Sequence, residues 1–372
     1  MRKIIAIVLA LALVGAAALA ESAPGNRLGY KVLAELSGGS QNAFVSPVSL
    51  AWALSMAAEG ATGETRQKLL GALDVEDPSQ VAELGEPLAE SGLMWANAAF
   101  TGAGIELLPD YDAVLESRYA AGRFALADAE SANAWASEKT GGLIDRLAID
   151  PTVGGQLTLV NAVALEAEWA SPFDPSMTTE RPFHTPDGDV TVSFMRQDTY
   201  AQYGESMGVQ LVCKGYLNGR LAMYLALPPE GGLKRALKNL AENPNSFFTF
   251  KPNPQSVRLT LPKLDVSAGA SLKDAIVAAG CWVPFHEEYA DYSGISETDL
   301  RVSDVFQQVR LQVDEDGTRA AAVTEVAMPM SAAPDDGPEP IDFTVDRPFL
   351  FALVDRPTGT VLFAGAVVNP AG

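Results

Sequence analysis

An α+β fold is predicted for this chain by the order of its periodicities and by the evenness of its composition. Helical spacing dominates the stretch up to about residue 147, strand-like runs dominate from Leu157 onward, and the two do not alternate as βαβ units would. Between Asn26 and Asp314 there is no repeat, low-complexity linker or compositional break. The 372 residues therefore read as a leader, 1–20, and a single large domain, 21–372.

The leader opens with Arg2 and Lys3, continues through an apolar run from Ile4 to Leu19, and ends Ala18-Leu19-Ala20 before Glu21. That is the pattern of a secretory signal peptide cleaved after Ala20. The apolar run is short for a membrane span and is followed by the loop-like ESAPGN. The mature protein is therefore expected outside the cytoplasm, secreted or periplasmic, and free of the membrane. With a net charge of −21, a nucleic-acid partner is disfavoured, because phosphate binding rests on Lys and Arg. Cys213 and Cys281 are the only cysteines, so no disulfide framework exists; one bridge or two free thiols both remain open.

Taken in order, Ser46-Pro47 predicts a helix start, with a capping hydroxyl and Pro at the first helical position. Leu50, Leu54 and Ala57 follow at helical spacing, Gly60 marks a stop, and a second helix begins at Thr62 to Glu64. Leu93 to Phe100 and Asp110 to Leu126 mix apolar runs with helical spacing, and Ser131 to Leu147 reads as an amphipathic helix interrupted at Gly141-Gly142. Leu157 to Trp169 is apolar and β-branched, as in a buried strand. Asn218-Gly219 predicts a hairpin between VQLVCKGY and RLAMYLALP. A strand over Ser256 to Leu264, a helix over Leu272 to Gly280, and two strands joined at Pro357 to Gly359 complete the pattern.

The stretch from Leu311 to Asp346 is unusual: a strand that becomes a long loop, and such loops in a compact domain are usually either functional or disordered linkers. From Thr318 every second residue is small or apolar: Thr318, Ala320, Ala322, Thr324, Val326, Met328. The intervening set holds both charges, Arg319 and Glu325. This division suits a strand with its first face inward.

Catalytic patterns are weak. Gly204-Glu205-Ser206-Met207-Gly208 matches G-x-S-x-G, with Asp265 or Asp274 and then His286 in hydrolase order, but strand-like sequence follows where a nucleophile elbow needs a helix. The two histidines, His184 and His286, do not stand at ligand spacing, so no metal site and no cofactor are expected.

Several motifs together carry a family resemblance: NAFVSPVSLAWALSMAAEGATGETRQKLLGAL, NAWASEKTGGLID, LTLVNAVALEAEWASPFDP, LPKLDVSAGASLKDAIVAAG, YADYSGIS, FTVDRPFLFAL and GTVLFAGAVVNP. In this order they resemble the serpins over nearly the whole mature chain. The resemblance implies three β-sheets, about eight or nine helices, and an exposed reactive-centre loop at about 315–340. It also implies a monomer that inhibits serine proteases as a suicide substrate: the protease attacks the loop, forms a covalent complex, and the cleaved loop inserts into the central sheet. Residue by residue, Glu315, Gly317, Thr318, Ala320, Ala321 and Ala322 match an inhibitory hinge. Ser46, Ser49, Asn161 and Gln307 match the polar shutter beneath the sheet, with Gln307 where the family often has His. Trp169 and Lys263 match the breach at its top, where Lys263 is expected to pair with Glu315. The reactive bond falls after Met330 or after Ser331, the latter preceding Ala332. Neither is basic, so an elastase-, chymotrypsin- or subtilisin-like target is implied. No basic patch for a polyanion cofactor follows Gly71, where the chain reads DVEDPSQVAELGEP. The rival readings are a non-inhibitory serpin that acts as a binding protein and, more remotely, a Ser206 hydrolase.

Overall fold

The structure is a computed structural model that describes residues 23–147, 156–244, 250, 253–318 and 339–371. The leader, the hinge residues Ala320, Ala321 and Ala322, and the reactive-bond residues Met330, Ser331 and Ala332 lie outside the described residues.

Helix α1 (Asn26–Ser37) ends at Gly38, whose left-handed backbone returns its N–H to Ala34 O. A short strand, β1 (Ala43–Val45), leads to α2 (Pro47–Gly60), which starts on Ser46 as its sequence predicts: the Ser46 hydroxyl accepts from Ser49 N, and Pro47 occupies the first turn. Only one residue of α2 escapes full burial, so the helix is apolar all round and the others pack about it. Next come α3 (Gly63–Leu73) and the single turns α4 (Ser79–Ala82) and α5 (Gly85–Ala89). Leu93 to Phe100, ambiguous in sequence, is strand β2 (Leu93–Thr101), paired along its length with the later run Leu157–Leu165. After α6 (Pro109–Tyr119) and β3 (Gly122–Ala125), helix α7 covers only Ala129–Lys139. The interruption expected at Gly141-Gly142 is observed, with φ of 61° and 84° ending the helical ladder, and no helix resumes before Leu147.

The strands follow as β4 (Leu157–Leu165), β5 (Ala167–Glu168), β6 (Thr179–Thr185), β7 (Gly188–Ser206), β8 (Val209–Gly215) and β9 (Leu221–Leu227). Then come α8 (Leu233–Glu242), β10 (Gln255–Pro262), β11 (Leu264–Ser271), α9 (Lys273–Ala278), β12 (Val302–Val313), β13 (Gly317–Thr318), β14 (Ile341–Thr344), β15 (Phe349–Asp355) and β16 (Thr360–Val367). They form three sheets, two of them joined by β7, whose 19 residues pair with β10 up to Ala201 and with β8 from Gln202. The hairpin predicted at Asn218-Gly219 joins β8 to β9.

The central sheet has the order β3-β2-β4-β12-β13-β5, with β11 on the other side of β12. β4 and β12 run parallel in direct contact from Leu157↔Val302 to Ala164↔Arg310. Beyond that point they part, and β13 lies between β12 and β5, antiparallel to both. All nine residues of β4 are buried, as befits a strand covered on both faces. One cluster, on the α2 side, includes Val163 and Leu165; a second, under α7, includes Val160, Ala162 and Ala164. Cys213 and Cys281 are both free thiols.

Candidate functional site: the hinge and the opening of the central sheet

The hinge begins with a turn that the chain ties in place itself. Asp314 Oδ1 accepts from Asp316 N at 3.0 Å and Gly317 N at 3.1 Å, while Asp314 N donates to Gly317 O at 2.9 Å. These bonds turn the chain back so that Gly317 faces Glu168 and Thr318 faces Ala167. Gly317 is needed here for close approach: a Cβ would collide with Ala167 O and sit 2.8 Å from Glu168 Cα. Thr318 is fully buried, and its hydroxyl meets Tyr216 OH at 2.6 Å.

Glu315 and Lys263 are brought together: Lys263 Nζ lies 2.7 Å from Glu315 Oε2, and Thr178 Oγ1 donates to Oε1 at 2.7 Å. Desolvation would raise this carboxyl, but the hydrogen bonds from Lys263 and Thr178 hold it below the usual carboxylate range. Trp169 is buried and stacked on Tyr216 with centroids 4.3 Å apart. Its indole N–H donates to Asp314 O at 3.0 Å and its backbone N–H to Asp316 O at 2.8 Å; Phe173 N donates to Glu315 O at 2.8 Å. Trp169, Lys263 and the described residues Asp314 to Thr318 therefore form one contact cluster. Tyr216 and Thr178, which complete it, lie in other elements and carry no local signal in the sequence.

Lower in the sheet, the four shutter residues form a buried network. Gln307 Oε1 accepts from Ser46 N at 2.8 Å, and its Nε2 donates to Ser46 O at 3.0 Å and Ser49 Oγ at 2.8 Å. Ser49 Oγ donates to Asn161 Oδ1, and Asn161 Nδ2 donates to Asn97 Oδ1. The registers Gln307↔Asn161 and Asn97↔Asn161 line the three amides across β12, β4 and β2, and the Ser46 and Ser49 end pins the row to α2. Asn97 was not foreseen; its signal was a single amide inside the apolar run LMWANAAF.

The hydrolase pattern is not an elbow. Ser206 ends β7, pairs with Val209, and Met207 and Gly208 make a two-residue turn with φ of 52° and 80°. Asp265 is paired with Arg310, and His286 Nδ1 accepts from Glu288 N at 3.2 Å. Nothing among the described residues joins these groups to Ser206.

The site is thus a parallel pair of strands parted at one end, with a short strand between them there and a polar row bridging them lower down. Residues 24–370 match the family Serpin (serine protease inhibitor). The chain belongs to the serpin family. An uncharacterized serpin-like protein of Thermococcus kodakarensis is 31% identical over 363 residues, covering 93% of this chain and 84% of that one. The structure of Arabidopsis AtSerpin1 in its native stressed conformation is similar at a TM-score of 0.82 and 25% identity, over 95% of this serpin and 99% of that chain. Human thyroxine-binding globulin has the same fold, at a TM-score of 0.82 and 24% identity, over 96% and 100% of the two chains. Serpins are in general inhibitors of proteases and not enzymes.

Proposed function

We propose that this serpin is a secreted suicide inhibitor of serine proteases with elastase-, chymotrypsin- or subtilisin-like specificity. The observation that carries this reading is the seat of Thr318, a small side chain buried between β12 and β5. It heads an alternating run in which Ala320, Ala322 and Thr324 are equally compatible with a buried strand face, and no Pro intervenes before Pro329. Arg319, Val323 and Glu325 fall on the opposite face by the same alternation.

A protease serine that attacks the carbonyl of Met330 or Ser331 breaks the peptide bond to the next residue, whose amine leaves, and retains the upstream chain as an ester. Residues after Thr318 then continue β13 downward between β4 and β12, carrying the acylated protease with them. The β4–β12 ladder and the amide row of Asn161 and Gln307 must open for this, and each strand recovers its hydrogen bonds on the new neighbour. The absence of Lys and Arg between Arg319 and Arg347 supports a protease with an apolar or small specificity pocket. The leader Met1 to Ala20 supports action outside the cytoplasm.

The test is to mix the mature protein with pancreatic elastase and with subtilisin and look for an SDS-resistant complex with release of the fragment that begins at Ser331 or Ala332. Mass spectrometry of that fragment fixes the bond. Cleavage without a complex would leave a substrate and favour the binding-protein reading.

A further inference from the structure

The hinge turn hangs from a strap. Ser171 and Pro172 are exposed and span the gap between buried Trp169 and Phe173, and it is the backbone N–H groups of those two residues that hold Asp316 O and Glu315 O. Beneath the strap stands Lys214 of β8, only 7% exposed. Its Nζ donates to Ser171 O at 2.8 Å and to Gln197 Oε1 at 2.8 Å. Gln197 of β7 in turn donates to Ser171 Oγ at 2.7 Å and to Pro172 O at 3.0 Å. The amine also lies 4.4 Å from the Phe173 ring centroid and 5.1 Å from that of Trp169. Lys214 thus touches both ends and the middle of the strap, Gln197 holds the middle beside it, and Ala170 N donates to Gly215 O at 3.1 Å.

Every one of these partners is neutral, which is unusual for a buried ammonium: such charges are normally paired. We propose that Lys214 is the positioning residue of the strap that carries the hinge, and that uptake of a proton by its amine loosens that strap. The strap is a local structure that stands whatever the protein inhibits; its consequence for loop insertion rests on the function proposed above.

The direction follows from solvation. Burial pushes the Lys214 ammonium down to about 7, and the two oxygens and two rings offset only part of that desolvation. Lifting Ser171 and Pro172 admits water to Nζ and returns it toward its ordinary value of 10.5. The lifted strap thus holds the proton more tightly than the closed one. Opening is easiest, and independent of pH, well below 7; above 7 it becomes harder by up to about tenfold per pH unit, since one proton is linked.

Other titratable groups around Lys214 are Glu168 at the end of β5, Asp316 and Glu315 on the hinge turn, Lys263 beside Glu315, Cys213 on β8 and Tyr216 just after it. Glu315 is held below its ordinary range despite desolvation, and burial pushes Cys213 up to about 11 and Tyr216 upward too, so these three do not titrate near pH 7. Glu168 is exposed, and Asp316 and Lys263 are half-buried.

Hydrogen exchange read by mass spectrometry on peptides covering residues 166–175 and 312–318, from pH 6 to 9 and corrected for the intrinsic rate, tests this on the intact mature protein. Protection in wild type should rise up to about tenfold per pH unit above pH 7 and level off below it. Lys214→Met should be flat across the range. Lys214→Arg, which keeps its charge, should stay weakly protected at every pH. Flat wild-type protection, or an unchanged slope in Lys214→Met, overturns the proposal; if neither variant folds, the wild-type profile alone decides. The same slope in a protein that forms no protease complex would overturn the inhibitory reading and leave the strap intact.

Discussion

At the scale of single residues, the hinge is held by contacts of two different kinds. Glu315 and Lys263 make a charged pair, but Lys263 is 40% exposed, so solvent screening limits its worth to about 1 kcal/mol. Because the Glu315 carboxyl is held below its usual range by the hydrogen bonds that outweigh its desolvation, the pair stabilises the fold above the ordinary carboxylate pKa and is lost as the pH falls through the depressed one. Glu315→Gln should lower the melting temperature by about 2 °C at pH 7, and titration of both proteins should show that difference closing in acid. Gly317 acts by shape alone. Gly317→Ala forces a methyl onto the Ala167 carbonyl, a backbone collision that costs about 1–3 kcal/mol. It should expel β13 from the sheet, which an increase in proteolytic sensitivity at 317–320 would report.

At the scale of elements, what matters is how β4 and β12 are kept closed. Gln307 of β12 bonds three groups at once, the Ser46 N–H, the Ser46 carbonyl and the Ser49 hydroxyl, at the start of α2. Gln307→Ala would leave Ser46 N buried without its acceptor and Ser49 Oγ without a donor, a loss of about 2–3 kcal/mol. A lower denaturant midpoint and faster polymerisation on warming are the expected outcomes, measured by urea titration and native gels. Gln cannot take a charge, so this row adds no pH step of its own. Ser46, Ser49, Asn161 and Gln307 came from the family resemblance, and of these Ser46, a helix cap before Pro47, also carried a local signal. Thr318 was legible for a related reason: it opens a period-two alternation, and it is the member of that run among the described residues, buried as an inward strand position is. Lys214 was not. Its partners come from β7 and from the strap, and nothing near Lys214 in the chain says that Ser171 and Gln197 fold over it. The helix interrupted at Gly141-Gly142 does not resume toward Leu147, since two adjacent glycines in left-handed conformations outweigh the periodicity beyond them. Leu93 to Phe100 shows the converse: short apolar runs do not distinguish strand from helix, and pairing with β4 decided it.

For the whole molecule, the inhibitory reading proposed above turns on which state lies lower, loop out or loop inserted. A loop that adds about ten strand positions to the central sheet gains about 1 kcal/mol net for each hydrogen bond, roughly 10 kcal/mol in all. That is as large as the entire stability of an ordinary domain, although ordering the inserted backbone consumes part of it. The intact chain already holds Gly317 and Thr318 between β12 and β5, so on the proposed mechanism the first step, parting the strands at the top, precedes cleavage. What remains is the β4–β12 ladder from Arg310 down to Val302 and the amide row midway along it. Cleavage between residues 328 and 333 should therefore release the full gain at once. Differential scanning calorimetry of intact and cleaved protein should find a melting temperature higher by 15 °C or so, on the order of 10 kcal/mol for a domain of this size. An unchanged melting temperature would mean that the cut loop stays outside, and the inhibitory reading would fall while membership of the family stood.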